Sequence, residues 1–140
     1  MTETKPRILV ADDERNIRKN LAMVLEAGGY QVDEASDGQE ALILCRQTHP
    51  DIAFVDLHMP KIEGLDVLAH FRTLSPKTAV VIITAYGSAA NAVEAMKLGA
   101  VDFLEKPFDP KIIGILAEEI LFRQRQGSGG SFDDLMHLAD

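Results

Sequence analysis

The feature that most restricts the fold is a repeated succession of a short apolar run and a longer stretch with helical periodicity. Five such units follow one another, and their apolar runs cover residues 7–11, 30–35, 51–55, 79–83 and 101–105. Most of these runs are continuously apolar, which is typical of strands buried on both faces of a parallel sheet with helices on either side. With right-handed crossovers, the pattern predicts an open, doubly wound α/β domain.

Terminal signals support this division into strands and helices. Gly28 and Gly29 stop the first helical pattern, as glycines at helix C-termini do. Before the last helix, Asp109 suits the N-cap and Pro110 the first turn. The apolar face predicted for that helix consists of Ile112, Ile113, Leu116 and Ile120.

Composition excludes several functional classes. The formal net charge of -8 argues against direct nucleic acid binding, which needs clustered Lys and Arg, but suits binding of a cation by converging carboxylates. The single cysteine, Cys45, excludes an internal disulfide and lies in an apolar stretch, which predicts a small buried side chain. The first residues, "MTETKPR", contain no apolar signal core, and no apolar run is long enough to span a membrane. We expect a cytoplasmic protein without membrane association.

The chain is predicted to contain one domain, residues 1–126, because 140 residues suffice for one substantial core. Residues 127–131, "GSGGS", read as a flexible linker, and both a natural and an engineered origin stay open. Residues 132–140, "FDDLMHLAD", form a short acidic amphipathic tail, for which a disordered end and a docking peptide are both compatible interpretations.

Complementary polar residues follow four of the predicted strands. Asp12 and Asp13 follow the first strand, Asp56 the third, Thr84 the fourth and Lys106 the fifth. In open α/β sheets the functional crevice lies at the carboxyl ends of the strands. Each residue alone has an ordinary explanation as a helix cap, a turn residue or a solvated lysine, but the joint set predicts a site.

The chemistry of this set points to Mg²⁺ and a phosphoryl group. Three carboxylates repel one another unless a cation joins them, and hard oxygen ligands suit Mg²⁺. Lys106 would supply a point charge and Thr84 a hydrogen-bond donor to phosphoryl oxygens. A carboxylate held there can act as a nucleophile and form an aspartyl phosphate, and Asp56, alone at its strand end, is the best candidate.

Residues 7 to about 125 resemble the receiver domain of a two-component response regulator. The motifs that carry the resemblance are "ILVADDE", "DIAFVDLHMPKIEGLDVL", "VVIITAYG" and "GAVDFLEKPF". Within that family the chain looks most like receivers attached to NtrC-type AAA+ activators of σ54. The resemblance implies a flavodoxin-like fold, a doubly wound five-stranded parallel sheet in the order 2-1-3-4-5.

Site roles follow from the resemblance by position. It implies that Asp56 is the phosphoacceptor, that Asp13 and Asp56 bind Mg²⁺ directly with the backbone carbonyl of His58, and that Asp12 supports the metal through water. It further implies that Lys106 contacts the phosphoryl group.

The resemblance also implies a switch. Thr84 would contact the phosphoryl group and vacate space for Phe103, the aromatic switch residue, so that the helix over 88–98 and the following strand present a different face. Lys106-Pro107 is expected to be a cis peptide. His58 and Tyr86 are candidates for tuning the lifetime of the acyl phosphate, although either could equally be an ordinary loop residue.

The implied function is that of a phosphorylation-activated signalling switch, not an enzyme acting on a separate substrate. It would accept a phosphoryl group from a sensor histidine kinase, assist its own dephosphorylation and control an output domain absent from this chain, such as an AAA+ ATPase or DNA-binding domain. A homodimer through the face of the fourth helix, fifth strand and fifth helix is a family expectation.

Three other functional classes compete with this one. A phosphatase with an aspartyl nucleophile is disfavoured because the acids after the first strand lack the Asp-x-Asp pattern of haloacid-dehalogenase-like enzymes. A flavodoxin-like cofactor binder is disfavoured because the first strand-to-helix turn lacks a phosphate-binding loop and carries acids that would repel a flavin phosphate. The complete set of acids, Thr84 and Lys106 argues against a pseudo-receiver that is not phosphorylated.

Overall fold

The computed structural model describes residues 5–85 and 87–129. Strands and helices alternate throughout this part of the chain, as the sequence predicts. The elements are β1 (Arg7–Ala11), α1 (Arg15–Ala27), β2 (Gln31–Ala35), α2 (Gly38–Thr48), β3 (Ile52–Asp56), α3 (Gly64–Leu74), β4 (Ala79–Thr84), α4 (Ala89–Lys97), β5 (Asp102–Glu105) and α5 (Pro110–Gly129).

The five strands form one parallel sheet in the order β2-β1-β3-β4-β5, which confirms the predicted topology. Side chains alternate across the sheet, as the pleat requires. For example, Leu9 and Ala53 face one layer, whereas Ile8 and Phe54 face the other. The central strands β3 and β4 are buried along their whole length, because helices cover both of their faces.

Two apolar layers lie on the two faces of the sheet. The first packs the sheet against α2, α3 and α4, with Phe71 of α3 fully buried. The second packs it against α1 and α5, with Leu25 and Ile113 fully buried. Cys45 lies in the first layer, and burial raises the pKa of its thiol to about 11, so the prediction of a small buried side chain is confirmed.

Side-chain caps begin two of the helices. The Asp37 carboxylate accepts a hydrogen bond from the Glu40 backbone N–H at the start of α2, at 2.8 Å, and Ser88 caps α4 in the same way. These caps satisfy helix N–H groups that have no partner within the helix. None of the helices in residues 5–85 and 87–129 is long and apolar enough to cross a membrane.

Two features of α5 differ from the sequence prediction. Ile112 is exposed at 43%, whereas Ile113 and Ile120 are buried. Ile113, Leu116 and Ile120 pack in the second layer as predicted. Because α5 carries apolar residues around much of its circumference, periodicity alone wrongly included Ile112 in the buried face. The helix also continues through residues 127–129, the start of the predicted linker, since its backbone can extend at a cost of about 1 kcal/mol per glycine. The predicted tail, residues 132–140, lies outside the described residues.

Candidate functional site

The sheet brings the predicted polar residues to one edge. Asp56 ends β3 and stands beside Ile83 in the parallel register, while Thr84 ends β4 and pairs with Glu105 of β5. Asp12 directly follows β1, the other neighbour of β3. Since carboxyl ends of parallel strands share one edge, positions that are up to 94 residues apart in the chain meet here.

Three carboxylates form a compact cluster. Asp12, Asp13 and Asp56 each offer an oxygen, and these oxygens all lie within 4.8 Å of one another. Asp12 and Asp56 are buried, whereas Asp13 is exposed, so the cluster opens toward solvent on one side. Oxygen ligands at this spacing, with an open side for water, fit a hard divalent cation such as Mg²⁺.

Lys106 neutralises part of this charge. Its Nζ donates hydrogen bonds to Asp12 Oδ2 at 2.7 Å and to Asp56 Oδ2 at 3.3 Å, and its side chain is 8% exposed. Burial would lower the pKa of Lys106, but the hydrogen bond to Asp12 and the charge of Asp56 outweigh burial and raise it. The ammonium is therefore firmly charged and lies between two of the carboxylates.

Burial and the nearby charge of Asp12 both disfavour ionisation of the Asp56 carboxyl. Burial, followed by the charge of Asp12, raises the pKa of Asp56 from 3.8 to about 6, and Lys106 offsets only part of this increase. A negative charge at Asp56 is thus incompletely compensated by the protein alone. This deficit is what a bound cation would relieve, so the residues present fit Mg²⁺.

The backbone after β1 holds Asp12 in place. The Glu14 N–H donates to Asp12 Oδ1 at 2.9 Å, and Arg18 donates from its guanidinium to the Asp12 carbonyl at 2.9 Å. Arg18 also pairs with Glu34 of β2 at 3.1 Å. Sequence analysis did not identify Arg18, although its position one helical turn beyond "DDE" is a signal that could have done so.

The loop between β3 and α3 is fitted tightly around Asp56. The His58 N–H donates to Asp56 Oδ1 at 3.2 Å, and the His58 Nδ1 lies 3.3 Å from Glu63 Oε2. A Cβ on Gly64 would lie 2.4 Å from the Asp56 carbonyl oxygen, and one on Gly38 would lie 2.4 Å from the Ile62 carbonyl oxygen. Neither glycine was predicted to matter, because their importance depends on tertiary contacts.

The predicted switch residues lie next to this edge. Thr84 is fully buried, and the Lys106 N–H donates to its carbonyl oxygen at 2.7 Å. Phe103 is half-buried, and a Cβ on Gly87 would lie 3.3 Å from its ring. The Lys106-Pro107 peptide is cis, as expected. Tyr86 lies outside the described residues.

A small cavity of about 230 Å³ opens onto the site, lined by Asp13, Glu14, Asp56, His58, Ala85 and Lys106. A larger cavity of about 1550 Å³ lies at the opposite edge of the sheet, near the amino ends of the strands, and its lining includes Pro6, Tyr30 and Asp51. The larger cavity contains none of the predicted site residues. The smaller one is therefore the place where chemistry at Asp56 would occur.

Comparison with known proteins gives consistent results. A model of the response regulator receiver domain matches residues 8–116. The chain is 39% identical over 129 residues to "Probable transcriptional regulator ycf27" of Guillardia theta, covering 92% of this chain and 50% of the relative. It spans about a quarter to a half of the length of the first curated relatives that it matches.

Solved structures show the same fold. A receiver domain protein (CheY-like) from Methanospirillum hungatei superposes with a TM-score of 0.85 at 28% identity, over 88% of this chain and 98% of the other. A response regulator protein from Burkholderia pseudomallei, solved "with a phosphorylated aspartic acid, calcium ion and citrate", gives a TM-score of 0.74 at 34% identity, over 84% of this chain and 74% of the other.

Proposed function

Because this chain belongs to the response regulator receiver domain family and is a signalling switch, we propose that Asp56 is its phosphoacceptor and that Mg²⁺ is its cofactor. The observation that carries the proposal is the cluster of Asp12, Asp13 and Asp56 with Lys106 between two of its members. The phosphorylated aspartate and the calcium ion in the Burkholderia relative support both parts of the proposal.

Asp13 and Asp56 would bind Mg²⁺ directly together with the His58 carbonyl, and Asp12 would hold it through water. When bound, the cation would withdraw negative charge from the phosphoryl oxygens. Lys106 is placed to neutralise charge from the other side, because its Nζ already contacts Asp56 Oδ2. The residues thus supply positioning and electrostatic stabilisation, which dominate catalysis of phosphoryl transfer.

The donor is proposed to be the phosphohistidine of a sensor histidine kinase. A carboxylate oxygen of Asp56 attacks phosphorus, the P–N bond breaks, and its electron pair stays on the imidazole. The cycle closes by hydrolysis: water attacks phosphorus, the bond between phosphorus and the Asp56 oxygen breaks, and inorganic phosphate leaves while the Asp56 carboxylate is restored. The domain assists this step itself. His58, next to Asp56 and paired with Glu63, and Tyr86 are proposed to tune the rate of this hydrolysis.

The response to phosphorylation is proposed to run through Thr84 and Phe103. The Thr84 hydroxyl would move toward a phosphoryl oxygen, and the half-buried Phe103 ring would enter the vacated space, which changes the surface formed by α4 and β5. This surface already exposes apolar side chains, including Val93, Met96 and Val101. With the exposed Ile112 and Ile115 of α5, they would form the contact of a homodimer or of the output domain.

The output domain is proposed to regulate transcription, since the ycf27 relative is named a transcriptional regulator and this chain spans half its length. The NtrC-type AAA+ class is the finer proposal, and the stretch "TAYGS…AVEAMKLGAVDFLEKPF" supports it. The receiver itself, with a net charge of -8, would not contact nucleic acid. We place the domain in the cytoplasm, where a kinase and a transcriptional output would meet it.

The proposal is tested by incubating the wild type and Asp56→Asn with acetyl phosphate and Mg²⁺ and measuring the intact mass. The wild type should gain one phosphoryl group and Asp56→Asn none. Omission of Mg²⁺ should abolish labelling of the wild type. Stoichiometric labelling of the variant would refute Asp56 as the acceptor, and light scattering with beryllofluoride would separately test dimerisation.

A further inference from the structure

Glu14 stands at the mouth of the site and has no part in the proposed metal set. Its Oε1 lies 3.8 Å from Lys106 Nζ, much farther than the 2.7 Å between Lys106 and Asp12. Its side chain is 60% exposed, whereas that of Lys106 is 8% exposed. Glu14 also lines the small cavity that leads to Asp56. Any phosphodonor entering this cavity must therefore approach the Glu14 carboxylate.

Lys106 does little to neutralise the negative charge of the Glu14 carboxylate. Lys106 is already shared by two buried carboxylates, Asp12 and Asp56, at hydrogen-bonding distance. Arg18, the nearby cation on α1, is engaged by Glu34 and by the Asp12 carbonyl. A fixed negative charge at the entrance repels an anion in proportion to the charge of the anion.

We propose that Glu14 is a specificity-determining residue for the phosphodonor, which disfavours small dianionic acyl phosphates relative to donors that carry less net negative charge. The inference rests on the proposed role of Asp56 as acceptor. The charge of Glu14 would protect the switch from metabolites that could phosphorylate it without a kinase.

Two small phosphodonors, acetyl phosphate and phosphoramidate, distinguish charge repulsion by Glu14 from an effect on phosphoryl transfer to Asp56. With acetyl phosphate, an Asp56 oxygen attacks phosphorus, the P–O bond breaks, and acetate leaves with the electron pair. With phosphoramidate, the P–N bond breaks, and ammonia leaves from a nitrogen that is already protonated. The same phosphoryl group reaches Asp56 in both reactions, but acetyl phosphate is a dianion and phosphoramidate carries a net single negative charge at neutral pH.

The test measures labelling rates with both donors, at saturating Mg²⁺ and low ionic strength, for the wild type, Glu14→Gln and Glu14→Lys. Coulomb's law for the Glu14 carboxylate and the acetyl phosphate dianion at roughly 8 Å in water predicts that Glu14→Gln accelerates labelling by acetyl phosphate by about twofold to sixfold. Glu14→Lys should accelerate it by about the square of that factor. For phosphoramidate, each variant's acceleration factor should be about the square root of its factor for acetyl phosphate. The ratio of the acetyl phosphate rate to the phosphoramidate rate should therefore rise stepwise as the charge at position 14 changes from negative to neutral to positive.

Glu26→Gln and Glu26→Lys are matched controls, because Glu26 is an exposed glutamate near the C-terminal end of α1, the helix that Glu14 directly precedes. These variants should leave the ratio of the acetyl phosphate rate to the phosphoramidate rate unchanged. At about 1 M salt, the labelling rates of the Glu14 variants should approach those of the wild type. Equal acceleration of both donors would overturn the inference and point instead to release of Lys106 from Glu14. If neither donor labels the wild type, the proposed function fails, and this inference fails with it.

Discussion

Replacing Asp56 by Asn should make the domain more stable at neutral pH while removing its proposed function. Asp56 is 5% exposed, and burial together with Asp12 raises its pKa from 3.8 to about 6. A difference of about two pKa units corresponds to about 3 kcal/mol, so ionised Asp56 destabilises the folded state by at most about that amount. Asparagine keeps the shape of the side chain without the charge.

The sign of the pH dependence follows from the direction of the shift. Because the folded state holds the Asp56 proton more tightly than the unfolded state between about pH 4 and about pH 6, the wild type loses stability as pH rises through this window. The penalty is complete above the folded pKa. The advantage of Asp56→Asn should therefore approach about 3 kcal/mol at about pH 7.5 and fall toward zero at about pH 4.

Urea denaturation followed by circular dichroism, in the presence of a chelator, measures this difference at several pH values. Mg²⁺ should then stabilise the wild type and narrow the gap, since it binds the folded carboxylates. Glu26→Gln, the same exchange of carboxylate for amide at an exposed position, controls for the replacement itself. The reasoning is refuted if Asp56→Asn is less stable than the wild type at neutral pH, or if its advantage does not change with pH.

Three further outcomes are expected. In thermal melts, Gly64→Ala should destabilise the domain by about 2–4 kcal/mol, because its Cβ would lie 2.4 Å from the Asp56 carbonyl oxygen. Gly114→Ala is the control: its nearest contact would be at 3.5 Å, so it should be neutral or stabilising by up to about 1 kcal/mol. Cys45, buried and with its pKa raised to about 11, should react with a disulfide reagent at about pH 8 only as fast as the chain unfolds, whereas urea-unfolded protein should react at once. Thr84→Val, which keeps the buried volume but removes the hydroxyl, should still be labelled by acetyl phosphate yet fail to dimerise with beryllofluoride in light scattering, and retained dimerisation would contradict the switch.

The alternation of apolar runs and helical stretches was sufficient to predict a doubly wound parallel sheet with Asp12, Asp56 and Thr84 at one edge, since the direction of a parallel strand determines which edge its last residue reaches. The strand order 2-1-3-4-5, which places these residues side by side, was implied by the family resemblance. The structure bears out this convergence, while the chemical roles of the residues remain predictions.

Other features could not be read from the sequence because they depend on contacts between distant segments. Gly64 resembles any loop glycine until the fold places the Asp56 carbonyl beside it. Arg18 has the sequence context of a surface arginine, yet it supports the Asp12 carbonyl. Ile112 satisfies the helical period but faces outward, because α5 offers more apolar positions than the sheet can cover.

The hydrogen bond between Lys106 and Asp12 joins residues that are 94 positions apart in the chain. During synthesis the acidic half of the site emerges long before the lysine that neutralises it. A chain that ends before β5 has the proposed acceptor carboxylate but lacks its counter-charge and the fifth strand of the sheet. If Asp56 is the acceptor, the ability to be phosphorylated would be acquired only when the domain is complete, so an unfinished chain would not compete with finished molecules for phosphoryl groups.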